Sequence, residues 1–222
     1  LKRLLLFLSA LSFVAVIYFT ACTHPSKPVV PAADGNFPTA IANILVTKCA
    51  VSGCHNEASY QNANGLRLDT WEHLFDGGNS GTAVVAYSAK FSPLLYFTNT
   101  DPAAGPVALP TMPLSSAHDP RAPLTKDEYN TLSAWIASGA PDKNGNIPFG
   151  SNTDKRQKIY MVQQGCDLVA VIDAEKNVVM RYIPVGENNA TVESPHCIRM
   201  SSDGMYAYIT LMSGDKVQKI DT

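Results

Sequence analysis

Two thiols and an imidazole fall within one short run, Cys49-Ala50-Val51-Ser52-Gly53-Cys54-His55. A pair of thiolates can add across the vinyl groups of a haem, and an imidazole directly after the second thiol supplies a nitrogen ligand to the iron, so the run reads as a c-type haem attachment site. The commoner spacing has two residues between the cysteines. Here there are four, and the intervening chain has to bulge while Cys54 and His55 stay adjacent. Attachment at Cys54 fixes where His55 can sit, which makes His55 the proximal ligand. Two plainer chemistries use the same side chains. A zinc site asks for four ligands at about 2.0–2.3 Å, and no second Cys/His pair lies nearby. A disulfide between Cys49 and Cys54 is the stronger alternative, but it leaves His55 and a methionine loop downstream without a role.

That loop is Leu109-Pro110-Thr111-Met112-Pro113-Leu114. A methionine between two prolines sits on a stiff segment with few backbone donors, which suits the presentation of a thioether to a metal. Met112 is therefore the expected distal ligand, although a methionine alone is more often a gap-filling core residue. His73 and His118 are the rival sixth ligands, each equally at home as a surface or supporting histidine. No catalytic residue is assigned.

Short helices have to position these groups. Ile41, Ile44, Leu45 and Lys48 fall at helical spacing and lead into Cys49. Thr70 caps a turn of helix through Phe75, and Pro93 stands at the first position of another, where its missing N–H does no harm. The best-marked helix begins at Thr125, which forms a capping box with Glu128, and runs through Leu132, Trp135 and Ile136 to a stop at Gly139 and Pro141. Its apolar face has one comparable partner, the helix of Ile41, Ile44 and Leu45.

On Cys49/Cys54/His55, Gly65-Leu66-Arg67-Leu68-Asp69, Met112-Pro113 and the run from Leu124-Thr125 to Trp135-Ile136-Ala137-Ser138-Gly139-Ala140-Pro141, residues 39–142 resemble a planctomycete-type monohaem cytochrome c domain. The resemblance implies an all-α domain with one covalent haem c, thioethers at Cys49 and Cys54, His55 proximal and Met112 distal.

The chain before this domain reads as an address. Lys2 and Arg3 precede an uncharged apolar run from Leu4 to Ala21, the layout of a secretory signal. Phe19-Thr20-Ala21-Cys22 resembles the cleavage box of bacterial lipoproteins, which implies a lipid anchor on Cys22. The expected product is exported, facing the periplasm or cell envelope and held to a membrane by lipid; an uncleaved helix would put it on the same side. Residues 22–38, rich in proline, read as a tether. Without Lys2 and Arg3 the 17 basic residues fall to 15 against 19 acidic, a balance that offers nothing to nucleic acid.

After a linker at 143–155 the pattern alternates as strands do: Ile159–Val162, Leu168–Asp173 and Val178–Ile183. The segment repeats itself with an offset of 48 residues, Tyr160 matching Tyr208, Asp167 Asp215, Val169 Val217, Ile172 Ile220 and Asp173 Asp221. On that repeat and the Ser202-Asp203-Gly204-Met205-Tyr206 turn, residues 156–222 resemble the YVTN family of β-propellers. About one and a half blades are expected, fewer than the roughly four to eight that close a ring. His196 reads as structural or as one group of a central site, and export permits a disulfide between Cys166 and Cys197. The fold expected is thus multi-domain, an all-α cytochrome c-like domain followed by an incomplete all-β propeller. Its function is electron transfer to a redox partner yet to be identified; the alternatives are a propeller oxidoreductase with the haem as electron acceptor and a docking module that carries a haem.

Overall fold

Among the residues that the structure describes, helix comes in short pieces, because glycine, proline and asparagine interrupt the apolar runs from Phe37 on before they can lengthen. The computed structural model describes residues 34–117, 119–150, 155–188 and 190–222. Among these residues are four α-helices, α1 (Thr39–Ile44), α2 (Trp71–Leu74), α3 (Pro93–Thr98) and α4 (Lys126–Ala137), the longest of 12 residues. Six strands follow, β1 (Lys158–Gln163), β2 (Leu168–Asp173), β3 (Val178–Pro184), β4 (Pro195–Met200), β5 (Tyr206–Leu211) and β6 (Lys216–Asp221).

The expected fold class is corrected by this count. Residues 39–142 are not an all-α domain: long loops dominate, and four short helices pack around them. Glycines at 53, 65, 77, 81 and 105 take positive φ, and Pro102, Pro106, Pro110 and Pro113 lack the donor that a helix needs. The strands form two three-stranded antiparallel sheets, in the orders β1-β2-β3 and β4-β5-β6, rather than four-stranded blades.

The helical part has one core. Ile41, Ile44 and Leu45 from α1 and the turn after it meet Leu132 and Ile136 of α4, as the two amphipathic faces require, with Leu68, Leu74, Leu94 and Leu95 closing the cluster. Phe37 belongs to it as well, 1% exposed and edge-on to Trp135 at 6.1 Å. Folded structure therefore starts inside the segment read as a tether, and the apolar Phe37 is the reason. The expected linker is also packed at its first half: Lys143 N–H donates to Asn36 C=O at 2.9 Å, and Phe149 stands edge-on to Phe75 at 6.0 Å. Cys22 and the signal segment lie outside the described residues. Among those residues no helix is long and apolar enough to cross a membrane.

A second, smaller core lies between the sheets, made by Val169, Val185, Ala207, Ile209 and Leu211. The repeat survives in the backbone. Asp167 and Asp215 take the same left-handed conformation, φ 50° and 48°, at equivalent turns. The Asp167 carboxylate accepts from the Glu193 and Ser194 amides at 2.8 and 2.9 Å, so the first sheet holds the entry to the second.

Candidate haem site

A widened turn delivers the first cysteine. After α1 the chain continues through a π-turn, Leu45–Cys49, closed by Ala50 N–H donating to Leu45 C=O at 2.8 Å. Such turns are rare and gather at functional positions. Its effect is to keep Leu45, Val46 and Cys49 all buried. The bulge that the cysteine spacing requires is a closed loop: Cys54 N–H donates to Val51 C=O at 3.0 Å and His55 N–H to Cys49 C=O at 3.1 Å. Burial pushes the Cys49 thiol up to about 12. Cys49 and Cys54 are free thiols, not a disulfide.

His55 is held by the next strap of chain. Its Nδ1 lies 3.0 Å from the Leu66 carbonyl oxygen. A carbonyl can only accept, so Nδ1 carries the proton and Nε2 keeps its lone pair; a backbone carbonyl on the far nitrogen is the usual partner of a metal-bound imidazole. Leu68 N–H returns to His55 C=O at 2.8 Å, pinning the strap from both sides. Burial also lowers the His55 pKa, against the raising effect of the Leu66 bond, which favours the neutral ring that can ligate. Below the strap Arg67 forks onto Asp69 at 3.2 and 2.7 Å.

Met112 comes from the other side of the sequence to the same place. Its N–H donates to Phe97 C=O at 2.7 Å, and Ala108 N–H to Tyr96 C=O at 2.8 Å, so α3 carries the methionine loop. Cys49, Cys54, His55 and Met112 all line one cavity of about 390 Å³, within the range of about 300–1,000 Å³ usual for cofactor pockets. Leu66, Leu68, Ala83, Leu94, Phe97 and Pro113 make its walls apolar, with Lys48, Asn62, Asn64, Ser80, Thr82 and Thr98 as polar exceptions. Two thiols, an imidazole with its free nitrogen fixed and a thioether on an apolar slot fit a covalently held haem. They do not fit a bare cation, since among the described residues no three His, Cys, Asp or Glu side chains gather to hold one.

The remaining expected residues stay apart. His73 Nδ1 is engaged by Asp69 at 3.0 Å and Thr70 at 2.7 Å, and it does not line the cavity. His118 lies outside the described residues. His196 is exposed on β4 at a bulge between Pro195 and Cys197. The two thiols considered for a disulfide, Cys166 in the β1–β2 turn and Cys197 just past the bulge, are free and exposed to solvent. Sequence reasoning missed two parts of the site, the Leu66 carbonyl and the wall from Gly78 to Ala83. Neither has a side-chain signature, although the Gly77, Gly78 and Gly81 cluster marks a place where backbone comes close to something. No family model, curated protein or solved structure matches the chain.

Proposed function

We propose that this chain carries one covalently attached haem c and works as an exported, lipid-anchored electron-transfer protein. The observation that bears this reading is the meeting of Cys49, Cys54, His55 and Met112 on one apolar cavity, with the His55 tautomer set by Leu66. When bound, the haem supplies a one-electron couple between ferric and ferrous iron. The protein's part is to hold and tune it. Cys49 and Cys54 would hold the group, each S–H adding across one vinyl double bond with the sulfur on one carbon and the hydrogen on the other. The Leu66 carbonyl orients the imidazole and makes it a better donor. Met112 offers a neutral thioether, which raises the potential relative to a second imidazole. The walls exclude water, which disfavours the more highly charged oxidised state. A site built this way needs no catalytic residue, only a redox partner that exchanges one electron at a time. The support for export and for an anchor on Cys22 is the sequence from Lys2 to Cys22.

The test is expression in a host with haem-attachment machinery, followed by intact mass and absorption spectra. The expected product is heavier by one haem and keeps its Soret band after acid–acetone extraction, and the double variant Cys49→Ala/Cys54→Ala loses that covalent colour. A mass equal to the polypeptide less two hydrogens, the signature of a Cys49–Cys54 disulfide, overturns the reading. Mass spectrometry of the mature N-terminus tests the anchor, which fails if Cys22 is unmodified.

A further inference from the structure

The wall from Gly78 to Ala83 has little to hold it in place by itself. Gly78 and Gly81 exchange hydrogen bonds at 2.9 and 2.8 Å. One side is fastened to the loop before the strap, Asn79 N–H to Asn64 C=O at 2.8 Å and Asn64 Nδ2 to Ser80 Oγ at 2.8 Å. Glycines supply no side-chain packing and permit many conformations, so the position of such a wall is set by its ties.

From α3, Leu94 N–H donates to Ala83 C=O at 2.9 Å, and further ties come from far along the chain, from β3 and the turn before it. Val179 N–H donates to Thr82 Oγ1 across 97 residues of sequence. Lys176 pairs with Asp76, and the Val178 side chain lies so close to Gly77 that a Cβ there would meet it at 2.7 Å. Val178 itself is 2% exposed. Thr82 is the residue where the two structures meet: it lines the cavity, and its hydroxyl is the acceptor for the strand.

We infer that β3 is part of the cofactor site, and that Thr82 is the positioning residue through which the first sheet sets how dry the cavity is. The inference rests on the haem reading above and adds to it a dependence of the haem's potential on the sheet. Thr82 is no ligand; it acts through the wall. Loosening the wall admits water, and water stabilises the more highly charged ferric state, so the potential falls. Linkage makes the effect reciprocal: a haem that packs on the wall also holds β3 in place.

The experiment uses the full chain with haem, in the variants Thr82→Val and Thr82→Ser. Valine keeps the shape and removes the acceptor; serine keeps the acceptor. Thr82→Val is expected to lower the reduction potential and speed hydrogen exchange at the Val179 amide, and Thr82→Ser to restore both. A Thr82→Val protein that melts earlier but keeps the wild-type potential and Val179 exchange has lost only structure, and the inference is then wrong. If Thr82→Val does not fold, the wild type decides: Val179 exchange has to be slower with haem than without, and equal rates overturn the inference. A chain whose mass shows no haem overturns the parent reading with it, and that failure is distinguished before any potential is measured.

Discussion

At the scale of single residues, the most consequential contact is between His55 Nδ1 and the Leu66 carbonyl, because it decides which nitrogen is free. If the cavity holds the proposed haem, Met112 is the residue on which the potential turns. On the haem reading, Met112→His lowers the reduction potential and Met112→Ala opens the sixth position to carbon monoxide, while His73→Ala leaves the spectrum unchanged because Asp69 and Thr70 already occupy that ring. Carbon monoxide binding to the untreated protein, or to His73→Ala alone, shows the distal assignment to be wrong. Asp142 gives a pH prediction. Burial raises its pKa, but hydrogen bonds from the Asn146 side chain and amide and the Asn144 amide outweigh that and bring it down to about 2. Its folded pKa is below the unfolded value of 3.8, so the stability it contributes is present above that value and lost as pH falls through about 2. Acid unfolding followed by circular dichroism should therefore be shallower between those two values in Asp142→Asn, and an unchanged slope counts against this role. The cysteines and His55 were legible in the sequence because their relation is local. Met112 was legible only once a haem had been inferred, and the Leu66 carbonyl had no signature, since every residue has one.

At the scale of elements, α4 is the strut of the site. Its capping box is complete, with Thr125 Oγ1 accepting from Glu128 N–H at 3.2 Å and Glu128 Oε2 accepting from Thr125 N–H at 2.9 Å. The other Glu128 oxygen meets Lys48 Nζ at 2.5 Å, which ties the start of α4 to the residue before Cys49. Thr125→Ala should cost about 1 kcal/mol. Leu132→Ala, at 0% exposure, should cost about 2–5 kcal/mol. Denaturant titration of both variants checks the order, and a Thr125→Ala loss as large as that of Leu132→Ala would mean that the cap carries more than a helix end. The helix starts were readable because Thr70, Pro93 and Thr125 are chemical punctuation. The fold class was not, because each stop between them was weighed as a loop joining helices and not as most of the structure. Phe37 was missed for a similar reason: one aromatic in a proline-rich run carries no period.

At the scale of the whole molecule, the chain from Asp34 on is one compact unit with two hydrophobic clusters. The joint between them is specific. Phe91 and Tyr182 lie with ring centroids 5.2 Å apart, Arg156 sits over Phe149 at 5.0 Å, and β3 is fastened to the loop at Gly77 and Thr82. The cluster between the sheets has, among the described residues, five buried members, too small a core to offset the ordering of six strands by itself. Residues 155–222 expressed alone should therefore fail to give a cooperative thermal transition. A soluble fragment that melts sharply would show that the sheets do not depend on the helical part. The strand repeat was plain from the 48-residue offset, whereas the dependence of one cluster on the other was not, because backbone amides meeting a threonine hydroxyl across 97 residues leave no pattern to read.

The π-turn at Leu45–Cys49 has a consequence for length. A π-turn is an α-helix with one residue too many, so deletion of the exposed Thr47 should restore α-helical spacing. Every later side chain of the turn then rotates by about 100° around the axis, and Cys49 moves off the cavity wall. Such a deletion should make the helix itself more stable, by removing the irregular turn, while on the haem reading the chain loses a thioether. A variant that gains thermal stability and keeps both thioethers by mass would show that the extra residue is ornamental. On the geometry described here, it is the residue that trades a better helix for a correctly aimed thiol.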